Sequence, residues 1–89
     1  MNDLQTLEAI RLDIVGELEA VNQYEAHAAA TNNPKAKKIW QSIANEERMH
    51  AGELFALLFE LDPITAEMFL KGQQEAKDMM RAMNFNQRR

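Results

Sequence analysis

Eighty-nine residues, a formal net charge of −4, 46% hydrophobic residues and no cysteine describe one small acidic domain. The missing cysteines exclude a disulfide framework, a thiolate metal site and a cysteine nucleophile. Basic residues gather only at Lys35, Lys37, Lys38 and Arg88-Arg89, too little cationic surface for a nucleic-acid binder.

A chain this short buries a modest share of its surface when it folds alone, so a partner chain is expected. The opening MNDLQTLEAIRLD has acids among its apolar positions and lacks the basic start and continuous apolar core of a signal peptide. No apolar run approaches the roughly 20 residues that span a bilayer. The expectation is a soluble cytoplasmic protein.

Abundant Ala, Leu, Glu, Gln and Met against three glycines and two prolines predict an all-α fold. Asn2 or Asp3 can cap a first helix over residues 4–31, about 42 Å long at the standard rise. The breakers Thr31-Asn32-Asn33-Pro34 end it, and Pro34 suits the first turn of a second helix over 35–61. Asp62-Pro63 then reads as a cap followed by proline at the first position of a shorter third helix over 63–83, with Gly72 its weak point. Residues 84–89 are expected to fray. The short turn between two long helices predicts an antiparallel hairpin within a single domain.

The first helix carries an apolar stripe at Leu4, Leu7, Ile10, Ile14, Leu18, Val21 and Ala28. The second carries Ala36, Ile39, Trp40, Ile43, Leu54, Leu57, Leu58 and Leu61. Leu12, Val15, Phe55 and Phe59 stand off these stripes, so the third helix or another chain must cover the hairpin. The methionines Met68, Met79, Met80 and Met83 read as adaptable packing against the hairpin or a neighbour. Lys35, Lys37 and Lys38, at the start of a helix, gain nothing from its dipole and read as a solvated face.

Glu47 and His50 replace leucine in one turn of the second stripe, and Glu17 lies near the first. Glu17 stands about fifteen residues before the Asn32-Asn33 turn and Glu47 about fourteen after it, so a hairpin brings them to one height. Glu47 and His50, three apart, share a helix face. Two carboxylates converging inside a helical core need a cation, and no Lys or Arg lies on the stripe at that height. Carboxylate oxygen with imidazole suits Fe(II), Mn(II) or Zn(II). Three ligands are half of the set used by di-iron carboxylate bundles, so two copies about a two-fold axis would complete a two-metal site. Other roles read more plainly: Tyr24 as a tyrosine at the core's edge, His27 as a solvated side chain. Glu25, near the stripe, has no sequence-level explanation.

The segments AIRLDIVGELEAVNQYEAHA and IWQSIANEERMHAGELFALLFELDP carry Glu17, Tyr24 seven residues later, the Glu47-x-x-His50 pair, and a closing Leu-Asp-Pro. Over roughly residues 4–72 this resembles the encapsulated ferritins, half-ferritins packaged inside encapsulin nanocompartments. The resemblance implies a homodimer forming a four-helix bundle, a ring of five dimers, an encapsulin shell as partner, and ferroxidase activity toward Fe(II). It makes Glu17, Glu47 and His50 the iron ligands, with Glu17 or Glu47 bridging, and sets Tyr24 beside them. It leaves Glu19 and Glu46 available to guide metal inward. Gly16 departs from the pattern, standing where relatives often carry an acid. The C-terminal NFNQRR resembles neither a shell-targeting peptide nor a fusion to a shell protein. Competing readings are a rubrerythrin-like peroxide scavenger with an external electron donor, and a non-catalytic helical assembly module whose polar triple fixes register.

Overall fold

Three helices follow one another with almost no connecting chain; the structure, a computed structural model, describes residues 1–87, with side chains as far as Asn84. α1 spans Asp3–Ala30, α2 Pro34–Leu61 and α3 Pro63–Gln87. Each starts where the sequence offers the free amides an acceptor. The Gln5 amide donates to Asn2 Oδ1 at 2.8 Å and the Asn2 amide donates to Gln5 Oε1 at 3.0 Å, a reciprocal capping box. Asn33 Oδ1 accepts from the amides of Lys35 and Ala36 at 3.0 and 3.1 Å, and Pro34 follows at a position that needs no N–H. Asp62 serves two helices. Its amide donates to the Leu58 carbonyl at 2.8 Å to close α2, and its carboxylate accepts from the amide and hydroxyl of Thr65 to open α3. Arg11 of α1 reaches the same carboxylate at 3.3 Å and ties α1 to that junction.

α1 and α2 form the antiparallel hairpin. Its seam is narrow: the buried apolar side chains among the described residues are Ile10, Ile14, Val21, Ala28, Ala44, Ala51 and Leu58. Ile14, Val21 and Ala28, like Ala44, Ala51 and Leu58, recur every seven residues, the interval that keeps one face of a helix against a neighbour. Alanines at that seam let the two backbones approach closely and leave room beside them for longer side chains.

The broad stripes read from the sequence are corrected here. Leu4 and Leu18 of α1 and Ile39, Leu57 and Leu61 of α2 are exposed rather than buried, because the two helices bury only the narrow seam between them and the apolar arc on each is broader than that seam. α3 does not cover them either. It contacts α2 and not α1, chiefly through Phe69, whose ring centroid lies 6.1 Å from that of Phe55 and 5.4 Å from that of Phe59. Met68, Met79, Met80 and Met83 are exposed in the single chain. α3 is helical through Asn84, Phe85 and Asn86 to Gln87, with no breaker after Gly72 to stop it, while Arg88 and Arg89 of the expected tail lie outside the described residues.

The result is a slab of 55 × 44 × 13 Å, scarcely thicker than one helix. No helix among the described residues is long and apolar enough to cross a membrane.

Candidate metal centre

Glu17 sits on α1 between the buried Ile14 and Val21, and Glu47 on α2 between the buried Ala44 and Ala51. Both therefore leave the seam on one side, and the small alanines opposite allow their carboxylates to meet. His50 precedes Ala51 and extends from the same face. One ligand-type atom from each of Glu17, Glu47 and His50 lies within 4.8 Å of the others. His50 Nδ1 stands 3.5 Å from Glu17 Oε2 and 3.7 Å from Glu47 Oε2. The glutamate side chains are 23% and 21% exposed and the histidine 50%, so the cluster opens outward.

Charge is out of balance at this spot. The Glu17 carboxyl is pushed above its ordinary value, first by its approach to the Glu47 carboxyl, which favours a proton held between them, then by burial and by repulsion from Glu47. Burial acts to lower His50, but the surrounding negative charge of Glu17, Glu47 and Glu53 outweighs it, and the net shift is upward. Glu17 Oε2 is buried without a hydrogen-bond partner, since His50 Nδ1 approaches without hydrogen-bond geometry. A buried oxygen lone pair facing a second carboxylate and an imidazole nitrogen fits a divalent cation.

The hollow in front of the three, of about 600 Å³, is also lined by Asp13, Gly16 and Glu53 and by the apolar Leu12, Leu54 and Leu57. Asp13 and Glu53 are the acids that sequence reasoning passed over. Their signal was positional: Asp13 lies four residues before Glu17, and Glu53 three after His50. Glu19 and Glu46, read as metal guides, are exposed and do not line this hollow. Tyr24, half-buried two turns from Glu17, is not among the lining residues; its ring packs edge-on to His27 at 6.5 Å. His27 is exposed but not merely solvated, because its ring also lies 5.2 Å from that of Trp40 across the hairpin. Glu25 is accounted for by an ion pair with Arg48, which also donates to Asn45 at 2.8 Å.

Two carboxylates and an imidazole on one face of a helical hairpin define the class of ferritin-like carboxylate proteins. Comparison with known proteins agrees. The Rubrerythrin family model matches residues 8–85. The encapsulin nanocompartment cargo protein EncC of Myxococcus xanthus is 46% identical over 63 residues, covering 71% of this chain and 48% of the relative. A ferritin-like–encapsulin shell fusion protein of Pyrococcus furiosus is 37% identical over 75 residues, covering 84% of this chain and 22% of the relative. The crystal structure of the encapsulated ferritin domain from Pyrococcus furiosus superposes with a TM-score of 0.86 at 36% identity, covering 88% of this chain and 80% of that one. The chain belongs to the rubrerythrin and ferritin-like family, as an encapsulated-ferritin-like protein. It spans about half or less of the length of the curated relatives it matches.

Proposed function

We propose that this chain is a ferroxidase that binds and oxidises Fe(II) at a site completed by a second copy of itself. The observation that carries this reading is that the Glu17–Glu47–His50 cluster opens onto an uncovered apolar face. Leu12 and Leu57, beside it, are 70% and 45% exposed. Ile39, Leu57 and Leu61 stand eleven before, seven after and eleven after His50, whole numbers of turns that align them with it on α2. A second hairpin laid on that face about a two-fold axis would bury these leucines and add its own Glu17, Glu47 and His50.

Iron is the substrate in this account, two Fe(II) per dimer. Glu17 and Glu47, able to bind terminally or to bridge, hold both ions and favour the more highly charged ferric product; His50 supplies a nitrogen and leaves positions open. The overall change is two Fe(II) + O2 + two H⁺ giving two Fe(III) + H2O2, one electron from each iron. Mn(II) or Zn(II) would fit the same donors without turnover. Relatives named as encapsulin cargo and as a shell fusion support an encapsulin shell as partner and a nanocompartment as location.

Anaerobic loading with Fe(II) followed by air tests the reading. The wild-type chain should show the absorbance rise of ferric product, and Glu47→Ala or His50→Ala should slow it by at least about 100-fold, the upper end of what losing only a ligand's outer partner costs. Unchanged rates in both variants would dispose of the assignment. The matched family bears the name rubrerythrin, which gives a peroxide-reducing role a specific standing. Faster oxidation with H2O2 than with O2 at equal concentration would favour it.

A further inference from the structure

α3 leaves the hairpin through one residue. α2 ends at Leu61 and α3 starts at Pro63, so Asp62 alone carries the change of direction, with φ −134° and ψ 81°. The ring of Pro63 fixes its own φ and narrows the choices of the residue before it, so few backbone torsions stand between the two helices.

Contacts from all three helices meet on that residue. Its amide donates to the Leu58 carbonyl of α2 at 2.8 Å, and its own carbonyl accepts from the Ala66 amide of α3 at 3.2 Å. Its Oδ1 accepts from the Thr65 amide at 3.3 Å. Its Oδ2 accepts from the Thr65 hydroxyl and, at 3.3 Å, from Arg11 Nη2 of α1. Capping α3 uses the two Thr65 bonds and needs no charge, since asparagine caps a helix as well as aspartate does. The guanidinium is an addition from α1, a helix that α3 itself does not contact. With Arg11 48% exposed, the ion pair adds little to stability. What it adds is direction, because it fixes Asp62, 16% exposed, against a third helix.

The lever is long. The other attachment of α3, Phe69 against Phe55 and Phe59, comes seven residues after Asp62, and most of the helix projects beyond it. Over the 25 residues of α3, about 37 Å at 1.5 Å per residue, a swing of roughly 20° moves the far end by about 13 Å. Ring packing holds a contact without holding one angle as strictly as a charge-assisted hydrogen bond does.

We propose that Asp62 is a hinge and Arg11 its latch, holding α3 at one angle to the hairpin so that every copy presents the same arm to its neighbours. With the latch undone, α3 stays helical and capped but swings about Asp62, and copies meet in more than one geometry. The device is independent of iron.

The chain has no cysteine, so spin labels enter cleanly at Gln23→Cys on α1 and Lys77→Cys on α3, both exposed positions. Double electron–electron resonance on the full metal-free chain, diluted into unlabelled chain, reads the angle as one intrachain distance. With Arg11 intact the distance distribution should be single and narrow. Arg11→Met, which keeps the stem and removes the charge, should widen it severalfold, as should Asp62→Asn, which keeps the cap; Arg11→Lys should restore the narrow form. Circular dichroism checks that helix content is unchanged, and native mass measurement should show one assembly size for the wild type against several for Arg11→Met. An unchanged, narrow distribution in folded Arg11→Met overturns the latch, and a broad one with Arg11 intact overturns the fixed angle. A single, unchanged assembly size in Arg11→Met overturns the part assigned to assembly. None of these readings moves if the Glu47→Ala and His50→Ala chains oxidise iron normally, so the latch and the ferroxidase assignment fail separately.

Discussion

Glu17 without a cation is held in a setting that opposes its charge, and that is the clearest energetic statement any one residue makes here. Replacing it by Gln removes one of two facing negative charges and leaves a side chain of the same shape. Glu17→Gln should therefore melt at a higher temperature than wild type in chelator. It should also lose the gain that wild type shows with Mn(II) or Zn(II), about 2.7 kcal/mol with free metal at 100 times Kd. Calorimetry with and without metal checks both halves, and an equal gain in the two proteins would contradict ligation by Glu17. Glu47 and His50 were legible in the sequence because they interrupt a leucine series where burial alone favours leucine. Asp13 and Glu53 were not, since an acid on an outward helix position looks like ordinary solubility until the fold shows what it faces. The Glu25–Arg48 pair and the His27–Trp40 contact were hidden for another reason: each crosses between helices, and spacing along one chain does not report that.

At the scale of the element, the helix starts were the most readable feature, because Asn2, Asn33 and Asp62 with their following residues carry local capping chemistry that needs no tertiary context. Asp62 makes that chemistry pH-dependent. Its carboxyl is held below the usual aspartate value, first by the hydrogen bonds from Thr65 and further by Arg11, so its contribution is complete above the unfolded-state value and is lost as pH falls through the lower folded one. Melting temperature should thus drop on acidification below the ordinary aspartate range, and Asp62→Asn, which keeps a capping oxygen but no charge, should show a flatter acid limb. α3 offers a second test. A Cβ added at Gly72 would meet nothing within 4 Å, so Gly72→Ala should stabilise α3 by roughly 1 kcal/mol, read as slower amide exchange across Pro63–Gln87. The end of α3 was the least legible boundary, because polar residues such as Asn84 and Asn86 carry no stop signal of their own.

The whole molecule exposes 7190 Å², whereas a monomer of its 10.2 kDa mass ordinarily exposes about 5,300 Å². Its radius of gyration is 17.6 Å against about 12 Å for a compact chain of this length. The surplus, roughly 1,900 Å² per chain, exceeds the approximately 800 Å² that each partner gives to an ordinary interface. Sequence foresaw that a hairpin with apolar residues on several sides needs covering, but not that α3 would leave it bare; α3's direction is set by the lone Asp62 and the Phe55, Phe59 and Phe69 contacts. Leu57→Asp puts a charge on an exposed leucine lining the hollow in front of the cluster and should convert the proposed dimer to monomers in sedimentation without loss of helix. The most direct test of a site shared between chains is anaerobic Fe(II) titration of the wild type and of Leu57→Asp, with oligomeric state measured on the same samples. Saturation at one ion per chain in the wild-type dimer, and loss of tight binding in the monomeric variant, is the predicted result; equally tight binding by the monomer would contradict it.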